Sequence, residues 1–268
     1  MILAIDTGNT HTVLGCINSD GTIAPVLRME TNPRQTEFEY AASMSRILEL
    51  SGIKMSGIKG AIISSVVPTV TNTLKEAVRL MTGGVEALVV GVGIRTGLDI
   101  GLDDPASIAA DLVATAVAAK EDYPLPAIII DMGTATTVTV VNADGRYIGG
   151  AIYPGVGISL NALVSGTSLL PNIEIAPPKK AIGTNTIEAM KSGLFYSEVG
   201  ALDLLIDRFK EEMGVADCTI VATGGIAGKV AQYSRHNIIL NDVLLLRGLE
   251  ILYKRNTQEP RKRTKKRG

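Results

Sequence analysis

The chain has 268 residues, 46% of them hydrophobic, with no Trp and ten aromatic side chains, so it can build a sizeable aliphatic core as one large domain or two ordinary ones. Its net charge of −1 hides an asymmetry: six of the last eight residues are basic, and setting those six charges aside leaves residues 1–260 at −7, which argues against a protein that mainly binds nucleic acid. Two distant Cys (Cys16, Cys218) and two His offer neither a disulfide framework nor zinc-ligand spacing; MILAIDTGN lacks the basic flank of a signal peptide and no apolar run approaches a membrane span, so a soluble, reducing, cytoplasmic setting is expected.

Ile/Val-rich runs at residues 2–5, 12–17 and 24–29 read as a strand meander, with Asp20-Gly21 as a turn signal. Helical periodicity follows at 36–52 and 70–82, alternating with strands at 60–67 and 87–90, and returns at 106–121. From residue 127 the plan repeats. Strands are expected at 127–131, 136–142 and 147–152, with Asp144-Gly145 in the place of Asp20-Gly21. A helix at 184–213, strands at 219–222 and 237–240 and a helix at 241–255 complete the chain. A meander followed by helix–strand alternation, occurring twice, predicts two α/β lobes with a cleft between them, divided near residue 120, where KEDYPLP interrupts the periodicity.

Each meander opens on the same device. The strand ILAI ends in DTGNTHT, and AIII ends in DMGTATT, so that Asp131 stands 125 residues after Asp6. In such a loop, Gly and small hydroxyl residues let backbone N–H groups approach a phosphate, and the Asp can hold a hydrated Mg²⁺ or another cation beside it. A single copy reads equally as an ordinary hairpin whose Asx and Thr side chains satisfy the turn; two copies, each opening a meander, favour the phosphate reading. No P-loop is present, and GVGIRTG and GVGISL both fail the dinucleotide-binding pattern. In VATGGIAGKV, Gly224-Gly225 leave room for a flat adenine or ribose, or serve plain helix–strand packing. Asp111 is the one ionisable residue in ASIAADLVATAVAA. It reads as an acidic residue favoured by the helix dipole, or as a partly desolvated base.

The two hairpins and the late T-G-G resemble the acetate kinase, hexokinase, heat-shock-70 and actin superfamily. More closely, DTGNTHTVLG, ISSVVPTVT, GVGIRTGLDI, DMGTATTV, GGAIYPGVGISLNAL, TSLLP, IGTNTIEAMKSG, ATGGIA and GLEILYKRN resemble type III pantothenate kinases, to about residue 256. The resemblance implies an α/β fold of two duplicated actin-like (ribonuclease H-like) lobes, each a mixed sheet with helices, over 1–120 and 121–256, with a basic, disordered tail at 257–268. It implies ATP- and Mg²⁺-dependent phosphorylation of pantothenate, the first step towards coenzyme A, by a dimer whose pantothenate pocket lies at the subunit interface. The segment from Asp6 through Thr7, Gly8, Asn9, Thr10, His11 and Thr12 to Val13 would hold the ATP phosphates, with Asp6 reaching Mg²⁺ through water. Gly133, Thr134, Gly224 and Gly225 would contact the nucleotide, Asp131 an activating K⁺ or NH₄⁺, Thr186 pantothenate, and Asp111 would accept the proton.

The departures from that family are concentrated. Its Gly-Ala-Asp-Arg reads Ala109-Ala110-Asp111-Leu112, so a guanidinium is replaced by an aliphatic chain. A pocket Tyr falls at Leu102, a Glu at Ser107, an Asn at Thr115 and a Gly at Ser197. Three outcomes stay open from these residues: an active pantothenate kinase, an ATP-binding relative with weakened or lost catalysis, or a kinase for another small hydroxylated acceptor. The basic tail reads as a solvated extension or as a contact for acidic partners. His11 and His236 read as turn and surface residues.

Overall fold

The computed structural model describes residues 1–257. Strands β1 (Ile2–Thr7), β2 (His11–Ile17) and β3 (Ile23–Glu30) form the expected antiparallel meander. β4 (Gly60–Ser65) and β5 (Ala87–Val89) add in parallel, giving the order β3-β2-β1-β4-β5. Between them run helices α1 (Glu37–Leu50) and α2 (Pro68–Thr82). β6 (Asp99–Ile100) and α3 (Ala110–Asp122) follow.

The second sheet repeats the first. β7 (Ala127–Met132), β8 (Ala135–Val141) and β9 (Arg146–Pro154) are its meander; helices α4 (Val156–Gly166) and α5 (Thr186–Met213) come next. β10 (Thr219–Thr223), α6 (Ala227–Ala231), β11 (Ile239–Leu240) and α7 (Leu244–Thr257) complete it. The order β9-β8-β7-β10-β11 matches that of the first sheet, and β6 adds to the β9 edge. Both sheets are mixed, as the duplicated α/β reading requires.

Strand alternation decides which way each residue faces. Leu3 and Ile5 turn towards α1 and α2, where Met44, Leu48, Leu74 and Val78 bury them. Ile128 and Ile130 turn towards α5, against Phe195, Val199 and Leu202. Ala4 and Ile129 face the other way, into a third core that holds α3 and α7 between the two sheets. Leu244, Leu246, Leu249 and Leu252 of α7 are buried there, each contributing about 1.5–3 kcal/mol by leaving water. Glu250 is fully buried on the same helix, 2.5 Å from both Arg247 and Lys254, and Arg247 also reaches Asp122 on α3 at 2.8 Å. The same alternation carries Asp6 and Asp131, two residues beyond Ala4 and Ile129, onto the inner faces where the sheets oppose each other.

The structure departs from the sequence reading at several ends. The helix expected from residue 106 begins at Ala110: Pro105–Ser107 forms a separate 3₁₀ turn, capped by Asp104 Oδ1, which accepts from the Ala106 N–H at 3.1 Å. The strand at 60–67 stops at Ser65, because Pro68 opens α2 and keeps Val67 out of the helical region. α4 was not expected, whereas a helix after Gly224-Gly225 is what VATGGIAGKV suggests, and α6 stands there. α4 (VGISLNALVSG) has no charged residue to mark a polar face. Thr257 ends α7, and the rest of the basic tail at 257–268 lies outside the described residues. Among the described residues no helix is long and apolar enough to cross a membrane.

Candidate active site

The site begins with the two hairpins. Asp6 pairs with Val13, Thr7 with Thr12, and the Gly8 N–H donates to the His11 carbonyl at 3.0 Å to close the first turn. Asp131 pairs with Thr137, Met132 with Thr136, and the Gly133 N–H donates to the Ala135 carbonyl at 3.1 Å to close the second. Asn9, Thr10, His11, Gly133 and Thr134 are exposed at the tips, whereas Thr7 and Thr12 are buried. Thr12 Oγ1 lies 3.0 Å from Thr31 Oγ1 and donates to Thr7 Oγ1 at 3.4 Å, so these hydroxyls brace the first hairpin from behind. The two tips meet: Thr10 Oγ1 and Thr134 Oγ1 share a hydrogen bond of 3.0 Å across 124 residues of sequence. The repeated motif is one site.

Behind the tips burial raises the proton affinity of three carboxylates, and Asp111 adds to the rise at the other two. Burial pushes Asp6 up to about 7; the Ser64 hydroxyl on the neighbouring strand pulls it down, and Asp111 and Asp131 push it up further. Burial and the charge of Asp111 raise Asp131 to about 6. Burial also raises Asp111, against the N–H of Leu112, which donates to Asp111 Oδ1 at 2.7 Å. A place where several carboxylates resist ionising is where a cation gains most. Among the described residues no group of three or more His, Cys, Asp or Glu could hold a metal by itself. The donors therefore fit a hydrated Mg²⁺ shared with phosphate oxygens, which needs only one or two carboxylates.

Asp111 occupies the first turn of α3, after Ala109, whose side chain offers the helix no cap. Ala109, Ala110 and Leu112 are all half-buried, and Leu102 lies 3.5 Å from the position a Cβ would take at Gly149 on β9. Thr115, at the place of the family Asn, turns its hydroxyl back on its own helix, donating to the Asp111 carbonyl at 3.0 Å. Buried Tyr147 on β9 is raised to about 12 by burial and by the charge of Asp111, so it too borders this carboxylate. Sequence reasoning did not select Tyr147 or Ser64, because a neighbouring strand supplies each.

β10 delivers the T-G-G turn. Gly224 has φ +103°, and a Cβ there would lie 2.5 Å from the Met132 carbonyl, so the turn rests on the strand leading into the second hairpin. Gly225 has open space around it, as a flat ring lying on the backbone requires. Gly155 packs with equal closeness on the carbonyls of Gly133 and Thr134, bracing the second hairpin.

Thr186 is elsewhere. It opens α5, next to its N-cap Asn185, and lines an apolar groove of about 860 Å³ between α4 and α5 with Ile158, Leu163, Met190 and Ser197; the three aspartates do not line it. His11 stands exposed at the start of β2. His236, expected at the surface, is half-buried with Nε2 3.1 Å from Asp207, because α5 covers the segment after α6.

Comparison with known proteins gives a consistent answer. The family model for type III pantothenate kinase matches residues 2–208. The type III pantothenate kinase of Halalkalibacterium halodurans is 41% identical over 256 residues, covering 96% of this chain and 100% of its own length. That of Geobacillus kaustophilus is 41% identical over 259 residues, covering 97% and 99%. Among solved structures, a Baf family protein of Campylobacter jejuni has a TM-score of 0.60 at 17% identity, covering 95% of this chain and 98% of its own. A Sinorhizobium meliloti protein described as a 2-dehydro-3-deoxygalactonokinase has a TM-score of 0.59 at 14% identity, covering 97% and 98%. These two likenesses concern the fold alone, an actin-like pair of mixed α/β lobes. On its sequence, the chain belongs to the type III pantothenate kinase family.

Proposed function

We propose that this chain transfers the γ-phosphoryl group of ATP to the hydroxyl of pantothenate, giving 4′-phosphopantothenate, the first step towards coenzyme A. The observation that carries the reading is the meeting of the two Asp-x-Gly-x-Thr hairpins at Thr10 and Thr134, with the Asp111 carboxylate close enough to act on the charges of Asp6 and Asp131. Phosphoryl transfer asks mainly for positioning and charge neutralisation, and two facing hairpins supply both. Backbone N–H groups of residues 9–10 and 134, at the tips beyond the bonds that close each turn, bind phosphate oxygens, and the opening at Gly225 takes the adenosine. The acceptor oxygen bonds to the γ-phosphorus as the bond to ADP breaks, and its proton passes to Asp111, whose affinity for protons burial has raised.

Asp6 and Asp131 would hold the cations, Asp6 a hydrated Mg²⁺ and Asp131 a K⁺ or NH₄⁺. When bound, these ions neutralise phosphate charge. The kinship supports a working kinase over a catalytically silent relative, since the named kinases match along nearly the whole chain. Because Thr186 lines a groove apart from Asp111, we assign the acceptor site to two subunits of a homodimer, with the apolar groove and exposed Ile152, Ile158 and Leu163 covered by the second copy. Its setting is the cytoplasm, in keeping with two free thiols.

The test is ADP release in potassium buffer, with and without pantothenate, alongside calorimetry of ATP binding. Pantothenate-dependent release is expected. ATP binding with no such release would refute the assignment of the acceptor. Sedimentation at micromolar concentration should give twice the 28.2 kDa chain mass; a monomer would refute the shared site.

A further inference from the structure

On the outer face of the second sheet, away from the reacting groups, Glu198 of α5 is buried with 5% exposure. Its Oε1 accepts from Thr136 Oγ1 at 2.8 Å and from Tyr153 OH at 3.1 Å. Among the described residues it has no ion-pair partner within 4.0 Å. A buried carboxylate without a cation is costly unless its hydrogen bonds hold it, and here the two hydroxyls are the only named donors. Burial raises its proton affinity, and Thr136 and Tyr153 lower it.

The place of this cluster gives it meaning. Thr136 and Tyr153 are direct cross-strand partners, and Thr136 also pairs with Met132 on the strand that ends in the second hairpin. Thr136 is thus the first strand residue held from behind after the Gly133-Thr134-Ala135 turn. Its counterpart in the first lobe, Thr12, is held only by neutral hydroxyls of Thr7 and Thr31. In the second lobe the anchor is a charged group on α5, the helix that begins at Thr186, and its neighbours Ser197 and Pro154 line the groove beside Thr186.

We infer that Glu198 is a positioning residue that fixes the second phosphate hairpin to α5, so that the nucleotide site and the Thr186 groove are held as one unit. The inference rests on the nucleotide reading of the hairpins, not on the identity of the acceptor. Losing a hydrogen bond to a buried charged group shifts an equilibrium on the order of tenfold or more. Loss of the anchor should therefore weaken ATP binding by about tenfold through the Gly133–Thr134 tip.

The experiment measures the ATP dissociation constant by calorimetry, with Mg²⁺ present, for the full chain and for Glu198→Ala, Glu198→Gln, Thr136→Val and Tyr153→Phe, each with its melting temperature. Glu198→Ala and Thr136→Val should weaken ATP about tenfold, and Glu198→Gln, whose amide oxygen still accepts from both hydroxyls, should recover most of that loss. A purely structural role predicts lower melting temperatures with ATP affinity unchanged within twofold, and that result overturns the inference. So does weakening by Glu198→Gln equal to that by Glu198→Ala. If Glu198→Ala fails to fold, Thr136→Val decides alone: it deletes one donor and keeps the side-chain shape. Failure of the parent to phosphorylate pantothenate, with these affinities behaving as described, would count against the acceptor and not against Glu198.

Discussion

Asp6→Asn separates what the site needs from what the fold tolerates. The parent carboxyl titrates near pH 7 in the folded chain and at 3.8 when unfolded. Between those values the unfolded chain has released a proton that the folded one keeps, so this group makes stability fall as pH rises from about 4 to about 7, with the full loss present above 7. At about 1.4 kcal/mol for each pH decade, the interval amounts to about 4 kcal/mol, against a usual total stability of about 5–15 kcal/mol. Asn cannot ionise and is close in shape. Asp6→Asn should therefore exceed the parent by about 2 kcal/mol at pH 5 and about 4 kcal/mol at pH 8, in urea unfolding without nucleotide or Mg²⁺. The same variant should lose most of the rise in melting temperature that ATP with Mg²⁺ gives the parent. A variant less stable than the parent at pH 8, or a gap that does not widen between pH 5 and pH 8, would refute the reasoning that burial and the carboxylates of Asp111 and Asp131 hold this proton.

The other predictions concern turnover. Asp111→Asn should lower kcat by roughly 10²-fold or more in the pantothenate assay while leaving the ATP-induced thermal shift intact, and a fall below tenfold would remove it as the proton acceptor. Replacing sodium by potassium or ammonium should raise the rate of the parent but not of Asp131→Ala; equal rates of the parent in all three salts would exclude a monovalent ion there. Leu112→Arg should raise pantothenate-dependent turnover if charge neutralisation limits the rate, and a neutral or harmful effect, with the new cation half-buried and unpaired, would show that the site does without it.

Much of this was legible in the chain because its signals are local. An apolar run ending in Asp-x-Gly-x-Thr states a strand and a turn within a few residues, and both copies stand where they were expected. The duplication also announced two meanders, and each sheet carries one. What the sequence could not state were contacts made across it. Thr10 meets Thr134 over 124 residues, Glu198 meets Thr136 over 62, and Ser64 stands beside Asp6 only because β4 lies parallel to β1 in that register. α4 escaped for a different reason: most of its residues are apolar or small, so a 3.6-residue period has no polar face to contrast with. His236 looked like a surface residue because nothing nearby in sequence announces Asp207.

The departures from the family between residues 102 and 115 can be placed on α3 and the segment before it. Leu102 packs against β9, Leu112 is half-buried, and Thr115 spends its hydroxyl on the carbonyl of Asp111 one turn back. None of the three carries a polar group free to reach outward. The only basic residue of the helix is Lys120, in its last turn and bonded to the Gly97 carbonyl, so α3 brings no positive charge beside Asp111. The segment that presents Asp111 is thus almost bare of other polar reach, while both hairpins keep theirs. Under the proposed function, neutralisation of the transferred phosphoryl group would then rest on hairpin N–H groups and on cations held by Asp6 and Asp131. That division of labour makes turnover more dependent on the bound cations than in a site with its own guanidinium, and gives the salt dependence of the rate its diagnostic force.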